Sequence, residues 1–285
     1  MVPKIEKAGG IGFCFGVRRA IDMLERVARE RGGMETLGAV VHNQQVLSRM
    51  AEIGVRVVGS AAEIQGDTVA ISSHGVGPQV LADIRRRHIS IIDTTCPFVK
   101  RAQVAARRLS KAGFYTVIYG DMNHPEVKGI LAWAGGKGVA TLNVAAVDRL
   151  DGPPRRLGVL SQTTQIPAYF TRFVKQVIDA TLVKDAELRI IDTICHDIRQ
   201  RQAEALSLAD SVDLFLVIGG HNSANTRHLV ELCSTATNTY LVETAQEIEP
   251  VWLNGRRRIG ITAGASTDEQ TIKEVLARLE ELAGG

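Results

Sequence analysis

The sequence predicts an α/β protein built from three pseudo-equivalent lobes, and three observations predict it. Short β-branched runs alternate with helical periods along the whole chain. Two near-identical runs, Ile91-Ile92-Asp93-Thr94-Thr95-Cys96-Pro97 and Ile190-Ile191-Asp192-Thr193-Ile194-Cys195, end on a cysteine, and a looser third, Ile11-Gly12-Phe13-Cys14, does the same. Each cysteine then heads a series of polar turns that repeats from lobe to lobe.

Taken in order, strand-like runs fall at 37–41, 68–72, 90–93, 115–119, 157–160, 189–192, 214–218 and 258–262. Between them lie amphipathic stretches such as 17–31, where Val17, Ile21, Leu24 and Ala28 share one helical face. Strands alternating with helices imply βα units and largely parallel sheets. In such sheets ligands gather where strand carboxyl ends meet helix N-termini. The repeat divides the chain into lobes at 1–95, 96–194 and 195–285. The N-terminal strand is counted with the first lobe, although it could also complete the last sheet. Three such units would close around a common axis.

The turns behind that division come in tiers. Twenty-eight positions beyond Cys14, Cys96 and Cys195 stand His42, His124 and Ser223, in Val41-His42-Asn43, Asn123-His124-Pro125-Glu126 and Asn222-Ser223-Ala224-Asn225. A third tier follows at less regular offsets: Ser72-Ser73-His74-Gly75, Gln162-Thr163-Thr164 and Gly264-Ala265-Ser266. Three residues after each cysteine the chain is apolar (Val17, Val99, Ile198), and four after it is basic (Arg18, Lys100, Arg199).

Composition excludes several function classes. A net charge of +3, from 34 basic and 31 acidic residues, makes no case for nucleic acid, and aromatics at 5% do not interleave with a basic cluster. No apolar run approaches the ~18 residues of a membrane span, and Met1 to Lys7 carries no secretory hydrophobic region. A cytoplasmic protein with no membrane partner is expected. Four cysteines in 285 residues are too sparse for a disulfide framework. They are metal or redox thiols, or small core side chains.

Three thiolates from three lobes could hold a metal. Zinc usually takes four ligands in close-spaced pairs, which are absent; a [4Fe–4S] cube with three cysteines leaves one iron open. Cys233 follows Leu229 by four on an apolar face and reads as a core thiol. His42, His74, His124, Thr164, Ser223, Asn225 and Ser266 stand at turns that open helices, where free N–H groups favour a phosphate or diphosphate. Taken singly, each could be no more than an N-cap. Glu126, beside His124, is either a proton donor for a reductive step or an acid stabilising a helix N-terminus. The basic residues Arg18, Arg19, Lys100, Arg101, Arg199 and Arg201 form a solvated helix face or a dock for an acidic electron donor.

Together these residues resemble the 4-hydroxy-3-methylbut-2-enyl diphosphate reductases. The likeness runs through Gly12-Phe13-Cys14-Phe15-Gly16-Val17, Val41-His42-Asn43, Ser73-His74-Gly75, Thr95-Cys96-Pro97, Asn123-His124-Pro125-Glu126-Val127, Gln162-Thr163-Thr164, Asn222-Ser223-Ala224-Asn225 and Thr262-Ala263-Gly264-Ala265-Ser266. It implies a trefoil of α/β lobes around one [4Fe–4S] cluster per chain, held by Cys14, Cys96 and Cys195 with one iron open. It implies an allylic diphosphate bound by His42, His74, His124, Thr164, Ser223, Asn225 and Ser266, Glu126 relaying protons, and Thr163 near the substrate hydroxyl. Ferredoxin or flavodoxin would supply the electrons, and isopentenyl and dimethylallyl diphosphates would result. The chain departs from the family pattern at Ile198, where a threonine is usual, at Ala224, where some members have serine, and at Thr267-Asp268-Glu269, which lacks the usual proline. The alternatives are a phosphate-ester-binding α/β protein and a divergent iron–sulfur homologue acting on another allylic substrate.

Overall fold

A computed structural model describes residues 2–149, 154–181 and 186–284. The chain opens with β1 (Lys4–Lys7) and α1 (Phe15–Arg31), followed by β2 (Met34–Leu37), α2 (Gln44–Glu52), β3 (Val55–Val58), β4 (Thr68–Ile71), α3 (Pro78–Arg86) and β5 (Ser90–Asp93). Next come α4 (Pro97–Lys111), β6 (Tyr115–Tyr119), α5 (Pro125–Trp133), β7 (Gly138–Thr141), α6 (Ala145–Asp148), β8 (Arg156–Ser161), α7 (Pro167–Thr181) and β9 (Glu187–Ile190). The last stretch holds α8 (His196–Ala209), β10 (Leu214–Ile218), α9 (Ala224–Cys233), β11 (Thr239–Val242), β12 (Arg258–Ala263) and α10 (Glu269–Gly284).

These strands form three four-stranded sheets, ordered β3-β2-β4-β5, β7-β6-β8-β9 and β1-β12-β10-β11. Every pairing is parallel. The three expected α/β lobes are therefore present. Central strands such as β4 (Thr-Val-Ala-Ile) and β10 (Leu-Phe-Leu-Val-Ile) are buried at every residue. That is the pattern of parallel sheets covered by helices on both faces. In the last lobe one face packs Leu214, Leu216, Ile259 and Ile261 on Val275 and Leu279, and the other packs Phe215 and Val217 on Ala205 and Leu229. The N-terminal strand pairs with β12, Ile5 opposite Ile259, so it completes the last sheet.

The chain divides into two compact units. One holds residues 1–18, 41–52 and 196–285, including the sheet of β1; the other holds 19–40 and 53–195, including the other two sheets. Residues 41–52, with α2, thus pack with the last lobe although they lie between two strands of the first.

Several boundaries differ from expectation. The run at 37–41 is not a strand: β2 ends at Leu37, and Gly38, at φ 78°, turns the chain out of the sheet. The run at 189–192 is displaced to β9, and Ile11 to Cys14 is a loop, Gly12 having φ 94°. Strands β3, β7 and β11 were not expected. Each is a four-residue edge or near-edge strand, too short to announce itself by alternation.

Candidate active site

Cys96 and Cys195 end two loops of the same construction. Asp93 Oδ1 accepts from Thr95 N (3.0 Å), and Asp192 Oδ1 from Ile194 N (3.0 Å), so each aspartate turns the chain out of its strand. The buried threonine after each aspartate donates back across the sheet, Thr94 to Ile71 O and Thr193 to Ser161 O. This is why Ile-Ile-Asp-Thr-x-Cys occurs twice: aspartate and threonine shape the loop that presents the thiol.

All three cysteines share one further contact. The N–H of Cys14 donates to Ala265 O (3.0 Å), that of Cys96 to Ser73 O (3.0 Å) and that of Cys195 to Thr163 O (2.9 Å). The accepting residues are the third-tier turns, and each is followed at once by a candidate substrate ligand: Ser266, His74 and Thr164. The turns themselves match, closed by Gly75 N to Ser72 O, Gln165 N to Gln162 O and Thr267 N to Gly264 O at 3.0–3.3 Å. None of the three thiols is in a disulfide; Cys14 and Cys96 are half-buried and Cys195 is buried. Val17 N donates to Cys14 Sγ at 3.4 Å, and Cys96 caps α4 ahead of Pro97.

The second tier needs a correction. His124 and Ser223 are N-caps, accepting from Glu126 N (3.2 Å) and Thr226 N (3.3 Å). In the first lobe the cap is Asn43, whose Oδ1 accepts from Val46 N at 3.0 Å; His42 stands one residue before it. The uniform 28-residue spacing therefore slips by one position there, and the local signal is Asn43 itself, a residue type favoured at N-caps. His74, Thr164 and Ser266 also lie three or four residues ahead of α3, α7 and α10 instead of opening them, and Asn225 is already inside α9.

Within the second unit, the His74 and His124 rings meet edge to face at 5.3 Å between centroids. His124 Nδ1 is occupied as acceptor by Glu126 N, which leaves Nε2 as the donor of the neutral ring. Glu126, in the first turn of α5, is 2% exposed. Its Oε1 accepts from Thr163 N (2.7 Å) and its Oε2 from Thr163 Oγ1 (2.9 Å). Burial without a cation pushes the carboxyl up to about 6, against the pull of those two bonds. A buried acid that titrates near neutrality and is bonded to a hydroxyl can hand on a proton. His74, His124, Glu126 and Thr163 are thus brought together, with Cys96 and Cys195 bonded to the turns that carry them.

Within the first unit, Cys14 is bonded beside Ser266, and the His42 carbonyl lies against Gly220, where a Cβ would come within 2.4 Å. Burial, with Arg227 adding repulsion, lowers the His42 pKa, so its ring is neutral at pH 7. Asn225 is 5% exposed, and neither Nδ2 nor Oδ1 has a partner among the described residues. A buried amide in that state awaits a polar ligand.

Two features escaped the sequence. Gln162, fully buried, accepts on Oε1 from Asp121 N (3.2 Å) and ties the His124 turn to the Thr163 turn. Its place in Gln162-Thr163-Thr164 was the available signal. Arg19 and Arg101 are more than a solvated face. Arg19 reaches the carbonyls of Thr94 and Thr95 (3.5 and 3.4 Å), and Arg101 that of Asp192 (3.4 Å), so each braces a cysteine loop.

Fold and site define a class: a repeat-built α/β protein with thiols on loops tied to equivalent turns, and a buried carboxyl of raised pKa. The family model for "LytB protein" matches residues 5–280, and the chain belongs to that family, whose members bind an iron–sulfur cluster. It is 67% identical over 282 residues to 4-hydroxy-3-methylbut-2-enyl diphosphate reductase of Dehalococcoides mccartyi (strain CBDB1), covering 99% of each chain. It is 43% identical to the Geobacter metallireducens reductase of that name, covering 95% of each. A solved structure of (E)-4-hydroxy-3-methyl-but-2-enyl diphosphate reductase matches at 37% identity and TM-score 0.71, over 99% of this chain and all of that one. The Plasmodium falciparum reductase structure matches at TM-score 0.91 over 97% of this chain and 88% of that one; at 24% identity it supports the fold alone.

Proposed function

We infer that the chain is a 4-hydroxy-3-methylbut-2-enyl diphosphate reductase of isoprenoid biosynthesis, the methylerythritol phosphate route. The observation that carries this is identity of 67% to a reductase of that name over 99% of both chains. The enzyme removes the allylic hydroxyl as water, taking up two electrons and two protons, and releases isopentenyl and dimethylallyl diphosphates.

Cys14, Cys96 and Cys195 are the ligands of a [4Fe–4S] cluster, one per chain. The donor set fits: none of the three thiols is in a disulfide, all three cysteines are tied by their N–H groups to equivalent turns, and one sulfur already accepts an N–H. When bound, such a cluster supplies single electrons and an open iron for the substrate's hydroxyl. The chain's own residues do the rest. His42, His74, His124, Thr164, Ser223, Asn225 and Ser266 hold the diphosphate through charge-assisted hydrogen bonds. Glu126 carries a proton near neutrality; passed from Oε2 to Thr163 Oγ1, it releases that hydroxyl's own proton to the departing oxygen. Glu126 and Thr163 are the catalytic pair.

Four cysteines outside any disulfide suit the cytoplasm, with ferredoxin or flavodoxin as donor. No helix among the described residues is long and apolar enough to cross a membrane. The test is anaerobic turnover of the allylic diphosphate with a reduced viologen dye. A brown protein with about four irons per chain that forms both products is expected, as is loss of iron and turnover together in Cys96→Ser. An anaerobic preparation that holds no iron after reconstitution overturns the reading.

A further inference from the structure

Residues 41–52 pack in the unit of the last lobe, and few polar contacts account for their position. On α2, Arg49 grips Asp268 at two points, Nη1 to Oδ1 at 3.1 Å and Nη2 to Oδ2 at 2.9 Å. Asp268 is 4% exposed, and each of its oxygens takes a second bond, Oδ1 from Thr271 N (2.9 Å) and Oδ2 from Thr271 Oγ1 (2.9 Å). Thr271 Oγ1 also lies against Gln45 Oε1, on α2 as well. An aspartate that only capped α10 would need one acceptor lone pair for an N–H. Here both oxygens are committed to a guanidinium fork, the geometry that fixes orientation as well as distance.

Along the chain, the two ends of this fork follow two candidate substrate ligands. Asp268 is two residues beyond Ser266, in the segment whose turn also holds the Cys14 N–H through Ala265 O. Arg49 stands on α2, six residues beyond the cap Asn43, which His42 immediately precedes. We propose that Arg49 and Asp268 are a positioning pair that locks the His42 end of α2 to the Ser266 turn, so that both side chains are set before the diphosphate arrives. The proposal rests on the reading of His42 and Ser266 as diphosphate ligands.

Asp268→Asn separates positioning from capping, because the amide oxygen still accepts from Thr271 N but the fork is gone. In the anaerobic holoenzyme, this variant and Arg49→Gln each raise KM for the allylic diphosphate about tenfold with kcat within about twofold. Each weakens equilibrium binding of inorganic diphosphate by a similar factor, and the double variant is no worse than either alone, since both remove one interaction. Iron content and the thermal midpoint of Asp268→Asn, measured on the same samples, report folding separately. Diphosphate binding at the parental level in a folded Asp268→Asn overturns the proposal, as do effects of the two substitutions that add. A parent that binds inorganic diphosphate but turns nothing over would sink the reductase reading and leave this comparison measurable.

Discussion

Two carboxylates, each almost wholly buried beside a helix N-terminus, end in opposite electrostatic states. Glu126 in the middle lobe is bonded only to the amide and hydroxyl of Thr163, and its pKa is raised to about 6. Asp268 in the last lobe has the corresponding bonds from Thr271 and, in addition, the Arg49 fork, and its pKa is held below the usual 3.8. Both pay desolvation; only one has a cation to offset it. Burial therefore does not decide whether an acid is a proton carrier or a fixed anchor. The charge of its partner does.

The sharpest way to break that contrast is Glu126→Gln. The amide can still accept from Thr163 N, so the fold and the iron are retained, while turnover falls by about 10²–10⁴, the usual range for a removed general acid. Parental turnover in this variant would remove Glu126 from the mechanism. In the parent, the rate depends on the protonated form, so kcat falls as pH rises through about 6. The residual rate of Glu126→Gln lacks that limb.

Asp268→Ala comes next in size. It leaves Arg49 and Thr271 without their acceptor and costs about 1–3 kcal/mol in urea unfolding, the range for hydrogen bonds to charged groups; Asp268→Asn falls between it and the parent. The sign with pH also distinguishes the two acids. Asp268 has a lowered folded pKa, so its stabilisation is present above 3.8 and is lost as pH falls through the folded value. Glu126 has a raised one, so its ionisation destabilises the fold: the penalty is complete above about 6 and absent well below 4.5. A shift of that size corresponds to about 2 kcal/mol. Glu126→Gln is accordingly more stable than the parent at pH 8 by up to about that amount, and the gap closes on acidification. A gap that is constant with pH would assign the difference to packing.

How much of this was legible beforehand follows from how local each determinant is. The Ile-Ile-Asp-Thr-x-Cys loops could be found because aspartate, threonine and cysteine act within a few residues of one another. Glu126 could be suspected because it stands in the first turn after His124, but its raised pKa comes from burial that no local stretch announces, and its partner Thr163 lies 37 positions away, placed by a different strand. The packing of 41–52 with the last lobe was not legible. Its contacts are to Gly220 and Asp268, more than 170 positions along the chain. Asp268 itself stood out only as a departure from proline, with no hint of its partner.

The thiols repeat the carboxylate comparison, and Cys233→Ala has the smallest expected effect. Cys233 is fully buried against Ala205, Val217 and Leu229, and burial, with Asp210 adding repulsion, pushes its pKa to about 12. Among the described residues it packs with apolar side chains, so it behaves as a small hydrophobe. Cys195 is also buried, yet it ends a loop shaped by Asp192 and Thr193 and is bonded to the turn that carries Thr163. Cys233→Ala should cost about 1–2 kcal/mol of stability, as a small core truncation does, and leave iron content and turnover at the parental level. Cys195→Ala should abolish both. Equal iron loss in the two variants would mean that burial class, and not the loop that presents the sulfur, separates structural from functional cysteines in this chain.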